Sequence, residues 1–200
     1  MKKKIFWLLG IVVFLVISIL TLEYTVRTLG YAPQNGDIIF QSSQSSQSTA
    51  IKIGTLSKYS HCGIIVMKDN KPYVLEAHKG VELTPLSKWI DRGLLGNHYK
   101  IMRLKDFKRL KINYTLGIPY DLDFRFRNGK YYCSELVWDI YKNNDIYLCN
   151  PKQLNEYHFL NVPIVKKKIK ERGFTLGQSV VAPSDLIKSN KLKTVAFGFK

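Results

Sequence analysis

The longest apolar run of the chain lies at its N-terminus, where residues 5–22 carry no charged side chain. Eighteen helical residues, rising about 1.5 Å each, span roughly 27 Å, close to the hydrocarbon thickness of a bilayer. Lys2, Lys3 and Lys4 precede the run, and such flanking lysines favour an N-terminus that stays in the cytoplasm. We therefore expect residues 1–28 to form an N-terminal transmembrane anchor or signal segment.

The location of the rest of the chain follows from that segment. A single-pass anchor would place the protein in the cytoplasmic membrane, with one extracytoplasmic domain, periplasmic or extracellular, in residues 29–200. A cleaved signal peptide is the alternative. Ser18-Ile19-Leu20 and Thr21-Leu22-Glu23 are poor cleavage sites, so the pattern favours an uncleaved anchor.

Beyond the connector, short apolar stretches predict strands around residues 37–41, 61–66, 73–78 and 99–104. Asp69-Asn70 and Pro72 separate the second stretch from the third, which is typical of a hairpin turn. These stretches predict an antiparallel sheet.

The hairpin turn fixes which residues face each other. If the turn is centred near Asp69-Asn70, Glu76 lies opposite Gly63 and His61 lies opposite His78. All four then share one sheet face, because side chains alternate along a strand. His61 and Glu76 become diagonal neighbours, roughly 7–8 Å apart between backbones, and Gly63 leaves space for their contact.

A helical period begins at Cys133. Positions 133, 136, 137, 140 and 141 form one stripe that is apolar apart from the thiol, and Asn143-Asn144 ends the helix. Two weaker patterns predict a short helix over residues 84–95 and a possible helix over residues 107–116.

The net charge of +16 indicates an anionic partner, and lipid headgroups or acidic envelope polymers are the candidates on the exported side. Nucleic acid is not predicted, because no recognition motif is present. Lysines with no specific partner remain an open alternative, above all in the run at residues 166–170.

Cys133, His61 and Glu76 supply the three groups that a nucleophilic cysteine site requires: a thiolate, an imidazole that transfers the proton, and a carboxylate that orients the ring. Cys133 opens its helix, where the helix dipole favours thiolate and a free N–H can bind an oxyanion. Cys62 and Cys149 are not predicted to pair. No metal-ligand spacing appears, so we predict neither a metal nor a cofactor.

The motifs in this order resemble one family, the YiiX/YebB-like branch of circularly permuted papain-like cysteine hydrolases of the NlpC type. The resemblance covers most of the chain after residue 33. The segments that carry it are Gly36-Asp37-Ile38-Ile39-Phe40, Tyr59-Ser60-His61-Cys62-Gly63-Ile64, Gly117-Ile118-Pro119-Tyr120-Asp121, Tyr132-Cys133-Ser134-Glu135-Leu136 and Ala182-Pro183-Ser184-Asp185-Leu186.

The resemblance implies an α+β, circularly permuted papain-like fold in which an antiparallel sheet packs against helices, here with an N-terminal transmembrane helix. It implies Cys133, His61 and Glu76 as catalytic residues. A residue beside the nucleophile would hold substrate or oxyanion, and Tyr132, Tyr131 and Tyr120 are candidates. Cys62 replaces the small aliphatic residue usual in the family, and we expect it to point away from the site.

Three functions follow from these residues. The first is hydrolysis of an amide bond in a peptidoglycan stem peptide or related short peptide. The second is acyl hydrolysis or acyl transfer on a lipid with the same triad. The third is binding without catalysis, by an envelope protein that keeps a degenerate site. Pocket shape separates the first two, because a polar cleft favours peptide and a deep apolar one favours an acyl chain.

Overall fold

The structure is a computed structural model that describes Trp7 and residues 10–15, 31–45, 47–93, 98–106 and 108–198. Trp7 and residues 10–15 are helical. In the described parts of the chain, no helix is both long and apolar enough to cross a bilayer. The predicted anchor, residues 5–22, lies mostly outside the described residues, and its membrane role stays a prediction.

A six-stranded antiparallel sheet forms the centre of the domain, with the strand order β4-β3-β2-β1-β5-β8. The strands are β1 (Ile38–Gln41), β2 (His61–Lys68), β3 (Lys71–Ala77), β4 (Val81–Pro85), β5 (Tyr99–Leu104) and β8 (Leu192–Gly198). A separate antiparallel pair consists of β6 (Lys152–Gln153) and β7 (Ser179–Val180).

Five helices accompany the sheet in the described part of the chain after residue 31. They are α1 (Ser48–Thr55), α2 (Leu86–Asp91), α3 (Cys133–Lys142), α4 (Pro163–Glu171) and α5 (Pro183–Ile187), and a short 3-10 turn covers Leu154–Glu156. The mixed architecture of an antiparallel sheet and helices agrees with the predicted fold class.

Strand alternation divides the core into two layers. Cys62 and Ile64 of β2 point to the layer that contains α3, and the predicted apolar stripe of α3 is buried there. Ile65 points to the opposite layer, where Trp89 of α2 fills the second cluster. The sheet therefore carries α3 on one face and α2 on the other.

The predicted hairpin register is confirmed. Ile64 pairs with Leu75 and Val66 with Tyr73, the offset expected for a turn at Asp69-Asn70. Gly63 is required at this crossing, because a Cβ there would lie 2.4 Å from Val74 Cγ1 and 2.8 Å from the Leu75 carbonyl oxygen.

Of two weaker predictions, one is confirmed with shorter bounds and one is wrong. The helix expected over residues 84–95 covers Leu86–Asp91, because Thr84 and Pro85 pair with β3 as the end of β4. Residues 108–115 have no regular secondary structure. Leu110 and Ile112 both pack against the core, a spacing of two residues that a helix cannot place on one side.

Candidate active site

The structure brings His61 and Glu76 into direct contact. His61 is the first residue of β2, and its Nε2 lies 2.6 Å from Oε2 of Glu76 on β3. Both side chains are buried. The contact occupies the space above Gly63, as the hairpin register predicts.

Four donors surround the Glu76 carboxylate. Oε2 accepts from His61 and from Trp89 Nε1 at 2.9 Å, and Oε1 accepts from Thr84 Oγ1 at 2.6 Å and from the Arg92 guanidinium. Burial alone raises the pKa of Glu76, but the hydrogen bonds and charges of His61, Thr84 and Arg92 outweigh burial and lower it to about 2. Glu76 is therefore ionised at any pH at which the protein works.

Sequence reasoning missed the three residues that hold Glu76 besides His61. The Trp89 ring stacks on His61 with centroids 5.7 Å apart, while its N–H donates to the carboxylate. Their positions in the sequence relative to Glu76 could have indicated these contacts. Thr84 lies across the β3–β4 ladder beside Glu76, and Trp89 and Arg92 are three residues apart at one helix end.

Cys133 lies at the start of α3, as predicted, on a backbone that enters the helix from an extended Tyr132. Its side chain lies near enough to His61 for each group to shift the pKa of the other. Because His61 Nε2 is engaged by Glu76, Nδ1 is the ring nitrogen that remains for the thiol. The thiol and the carboxylate thus contact opposite edges of one imidazole.

This contact joins the two faces of the sheet. Cys133 belongs to the core layer of α3, whereas His61 stacks on Trp89 in the opposite layer. They meet because His61 is the terminal residue of β2, so its ring is not separated from α3 by further strand. The helix start and the strand end therefore define the site together.

The prediction for Cys62 is wrong. Cys62 points away from His61 and Glu76, as alternation requires, but this direction takes it into the layer of Cys133. Hydrogen bonding from its side chain and its backbone N–H lowers the pKa of Cys133. Burial and the neighbouring Cys133 raise the pKa of Cys62 well above its ordinary value, so Cys62 stays protonated and is the donor.

The pKa values of Cys133 and His61 shift in opposite directions. The hydrogen bond from Cys62 is the largest influence on the pKa of Cys133. Burial opposes it, but the charge and hydrogen bond of His61 add to it and the pKa falls well below its ordinary value. Burial alone lowers the pKa of His61, but Cys133 and Glu76 outweigh burial and raise it to about 10. Both shifts favour the thiolate–imidazolium pair over the neutral pair.

The three candidate tyrosines have different surroundings. Tyr132 accepts the Val181 N–H at 3.0 Å with its hydroxyl and is buried. Tyr131 donates to Asp139 Oδ2 at 2.8 Å, which ties it to the middle of α3. Tyr120 lies within electrostatic reach of Cys133, which contributes after burial to raising its pKa. Cys133 also contributes to raising the pKa of Tyr132, so both tyrosines lie near the thiol.

The other histidines lie outside this constellation. His78 is exposed, and its ring centroid is 6.3 Å from that of His61. Burial and then Arg92 lower the pKa of His78. His98 and His158 are also exposed. Their places agree with the expectation that His61 is the one histidine of the site.

A cavity of about 120 Å³, called here the thiol cavity, opens beside Cys133 between α1, α4 and residues 180–183. Its lining is almost wholly apolar, and Lys168 and Arg172 add two positive groups. The apolar lining includes Ala50, Ile51, Phe124, Leu154, Leu160, Val165, Ile169, Phe174, Val180 and Val181.

Comparisons with known proteins agree with this geometry. The family model described as "Permuted papain-like amidase enzyme, YaeF/YiiX, C92 family" matches residues 32–196. The uncharacterized protein YiiX of Escherichia coli K12 is 39% identical over 190 residues, which cover 89% of this chain and 93% of YiiX. A crystal structure described as metalloprotein yiiX from Escherichia coli O157:H7 is 37% identical, with a TM-score of 0.77, over 85% of this chain and 100% of that chain.

Proposed function

This chain belongs to the permuted papain-like amidase family of YaeF and YiiX, and we propose that it hydrolyses an amide bond through an acyl intermediate on Cys133. The observation that carries the proposal is the imidazole of His61, which is hydrogen-bonded to the Glu76 carboxylate and whose pKa is raised by the neighbouring Cys133 and Glu76. A binding module with a degenerate site would not require the buried Cys133, His61 and Glu76 side chains or the four hydrogen-bond donors around Glu76.

The reaction follows from the ionisation of the pair. The Cys133 thiolate attacks the carbonyl carbon, and the imidazolium of His61 gives its proton to the leaving amine. Neutral His61 then takes a proton from water, which attacks the thioester and releases the acid. Glu76 keeps the ring in place and stabilises its charged form throughout, without losing its own charge.

The oxyanion would be held at the start of α3. The first N–H groups of a helix lack intrahelical partners, so the Cys133 N–H is free to donate to the developing charge. The Tyr120 hydroxyl is a second candidate donor, because it has no hydrogen-bond partner among the described residues. Tyr132 instead supports the cavity wall through Val181.

The thiol cavity bears on the choice of substrate. A stem peptide would require polar groups to receive its carboxylates and amides, and most of the lining side chains besides Lys168, Arg172 and Gln178 are apolar. An apolar acyl chain would fill the remaining walls. This observation favours acyl cleavage, from an N-acyl amine or a lipid ester, as a second candidate beside the short-peptide amidase.

A metal has no place in this mechanism. The solved YiiX relative is described as a metalloprotein, but no group of three or more His, Cys, Asp or Glu side chains in the described ranges of this chain is arranged to hold a metal ion. His61 has one nitrogen committed to Glu76 and the other to Cys133. We derive no step through a metal.

We propose that the enzyme works outside the cytoplasmic membrane. The uncharged run at residues 5–22 and the lysines before it support this location, and the net charge of +16 supports an anionic envelope partner. Peptidoglycan peptides and lipid acyl groups are both present on that side.

The test is to incubate the full chain with purified muropeptides, N-acyl amino acids and phospholipids, and to identify products by mass spectrometry. We expect one class to be cleaved and an acyl adduct to appear on Cys133. Cys133→Ser should abolish cleavage while the fold is kept. Cys149→Ser is the matched control, because Cys149 lies outside the thiol cavity and should leave activity unchanged. Cleavage by Cys133→Ser at the wild-type rate would refute the proposal.

A further inference from the structure

A second cavity, called here the basic cavity, lies at the other end of the domain. Its volume is about 210 Å³, and four of its lining residues are cations: Arg103, Lys105, Lys108 and Lys193. Asp37 is its one acidic lining residue. Four cations around one carboxylate indicate an anionic ligand.

The Asp37 carboxylate already has hydrogen-bond donors from within the protein. Asp37 accepts from Arg103 Nε at 2.6 Å, from the Tyr31 hydroxyl at 2.8 Å and from the Gln34 N–H at 3.0 Å. Arg103 and Asp37 therefore neutralise each other inside the wall of the cavity.

The positive charges of the three lysines are available to a ligand. Lys105, Lys108 and Lys193 are exposed, and none of them forms an ion pair within the described residues. The exposed carboxylate next in the chain, Asp106, does not line the cavity. The cavity thus presents about three uncompensated positive charges around one opening.

The position of the basic cavity is distinct from the reaction site. Tyr141, in the last turn of α3, lines it, whereas Cys133 begins the same helix, about 12 Å away along the axis. The Asp37 end of β1 forms its wall, while the other end, Gln41, pairs with His61. Residues 31–36 lead into this wall from the predicted anchor.

We propose that the basic cavity binds the phosphate group of an anionic lipid at the membrane surface and holds the anchor-side end of the domain there. Phosphate is the anion that lysine clusters near a membrane attract, at roughly 1 kcal/mol for each lysine, or about fivefold in binding. This inference rests on the proposed membrane location and is independent of the reaction at Cys133.

The experiment is lysine acetylation footprinting of the full chain in vesicles, read by mass spectrometry. Vesicles of phosphatidylcholine alone are compared with vesicles that also contain phosphatidylglycerol. We expect acetylation of Lys105, Lys108 and Lys193 to slow about fivefold in the anionic vesicles and to recover in high salt. Lys166 and Lys170, exposed on α4, are the internal reference and should not change.

Any of three results would overturn the proposal. The first is that Lys105, Lys108 and Lys193 react at the same rate in both kinds of vesicle, and the second is that Lys166 and Lys170 are protected instead. The third is that inorganic phosphate, added to the phosphatidylcholine vesicles, protects the three lysines as well as the anionic lipid does, which would assign the basic cavity to free phosphate.

Discussion

Cys62→Ala should raise the pKa of the Cys133 thiol. The Cys62 side chain donates to the Cys133 sulfur and is the largest influence that lowers this pKa. Alanine removes the donor and keeps a small apolar group in a fully buried position. The variant leaves His61 and Glu76 in place, so it isolates one contact of the thiolate.

The size of the effect can be worked from the kind of bond that is lost. Hydrogen bonds to charged groups contribute about 1.5–3 kcal/mol, and a thiol is a weak donor, so the lower end applies. Since about 1.4 kcal/mol corresponds to a tenfold change in an equilibrium constant, the ionisation equilibrium of Cys133 should shift about tenfold toward the thiol. The Cys62 N–H and His61 still hold the thiolate, which limits the shift.

The assay is the rate of Cys133 alkylation by iodoacetamide across pH, followed at this residue by mass spectrometry. Alkylation needs no substrate, so it separates the role of Cys62 from the choice of reaction. The Cys62→Ser variant keeps a donor and should restore the wild-type midpoint. If Cys62→Ala and Cys62→Ser both titrate like the wild type, while Cys133 remains reactive, the reasoning about this contact is refuted.

The remaining predictions concern the support of His61. Gly63→Ala places a Cβ against Val74 and the β3 backbone, so it should lower the free energy of unfolding by about 1–3 kcal/mol in urea denaturation and reduce activity; a wild-type midpoint would contradict this. Trp89→Phe removes the N–H that Glu76 accepts but keeps a ring on His61, so kcat should fall about tenfold for a loss near 1.4 kcal/mol, with KM little changed; an unchanged kcat would count against Trp89. The pKa of Glu76 falls from 4.5 to about 2 on folding, so its stabilisation is present above 4.5 and is lost as pH falls through 2. The stability gap between wild type and Glu76→Gln should therefore narrow on acidification, and a constant gap would argue against an ionised Glu76.

The central part of the site was predictable from the sequence because it depends on short-range rules. A two-residue turn fixes the hairpin register, and the register places Glu76 diagonally from His61 across Gly63. The helical period likewise fixes Cys133 at the start of α3. Each rule acts within a few residues, so one sequence was enough.

The environment of the site was not predictable in the same way. Thr84 reaches Glu76 from β4, and Arg92 reaches it from the end of α2. Their roles depend on how β4 and α2 pack against β3. Strand alternation correctly points the Cys62 side chain away from His61. It does not show that this direction leads to Cys133, since nothing local in the sequence places α3 on that face of the sheet. The apolar lining of the thiol cavity comes from three separated segments.

The ionic state of His61 tests the account most directly. Nitrogen-15 NMR of histidine-labelled protein reports whether each imidazole is charged. We predict that the His61 ring is an imidazolium at neutral pH and loses its proton only near pH 10, and that in Cys133→Ala its pKa falls. A neutral His61 at pH 7, titrating near the ordinary value of 6.5, would contradict the thiolate–imidazolium pair on which the proposed reaction depends.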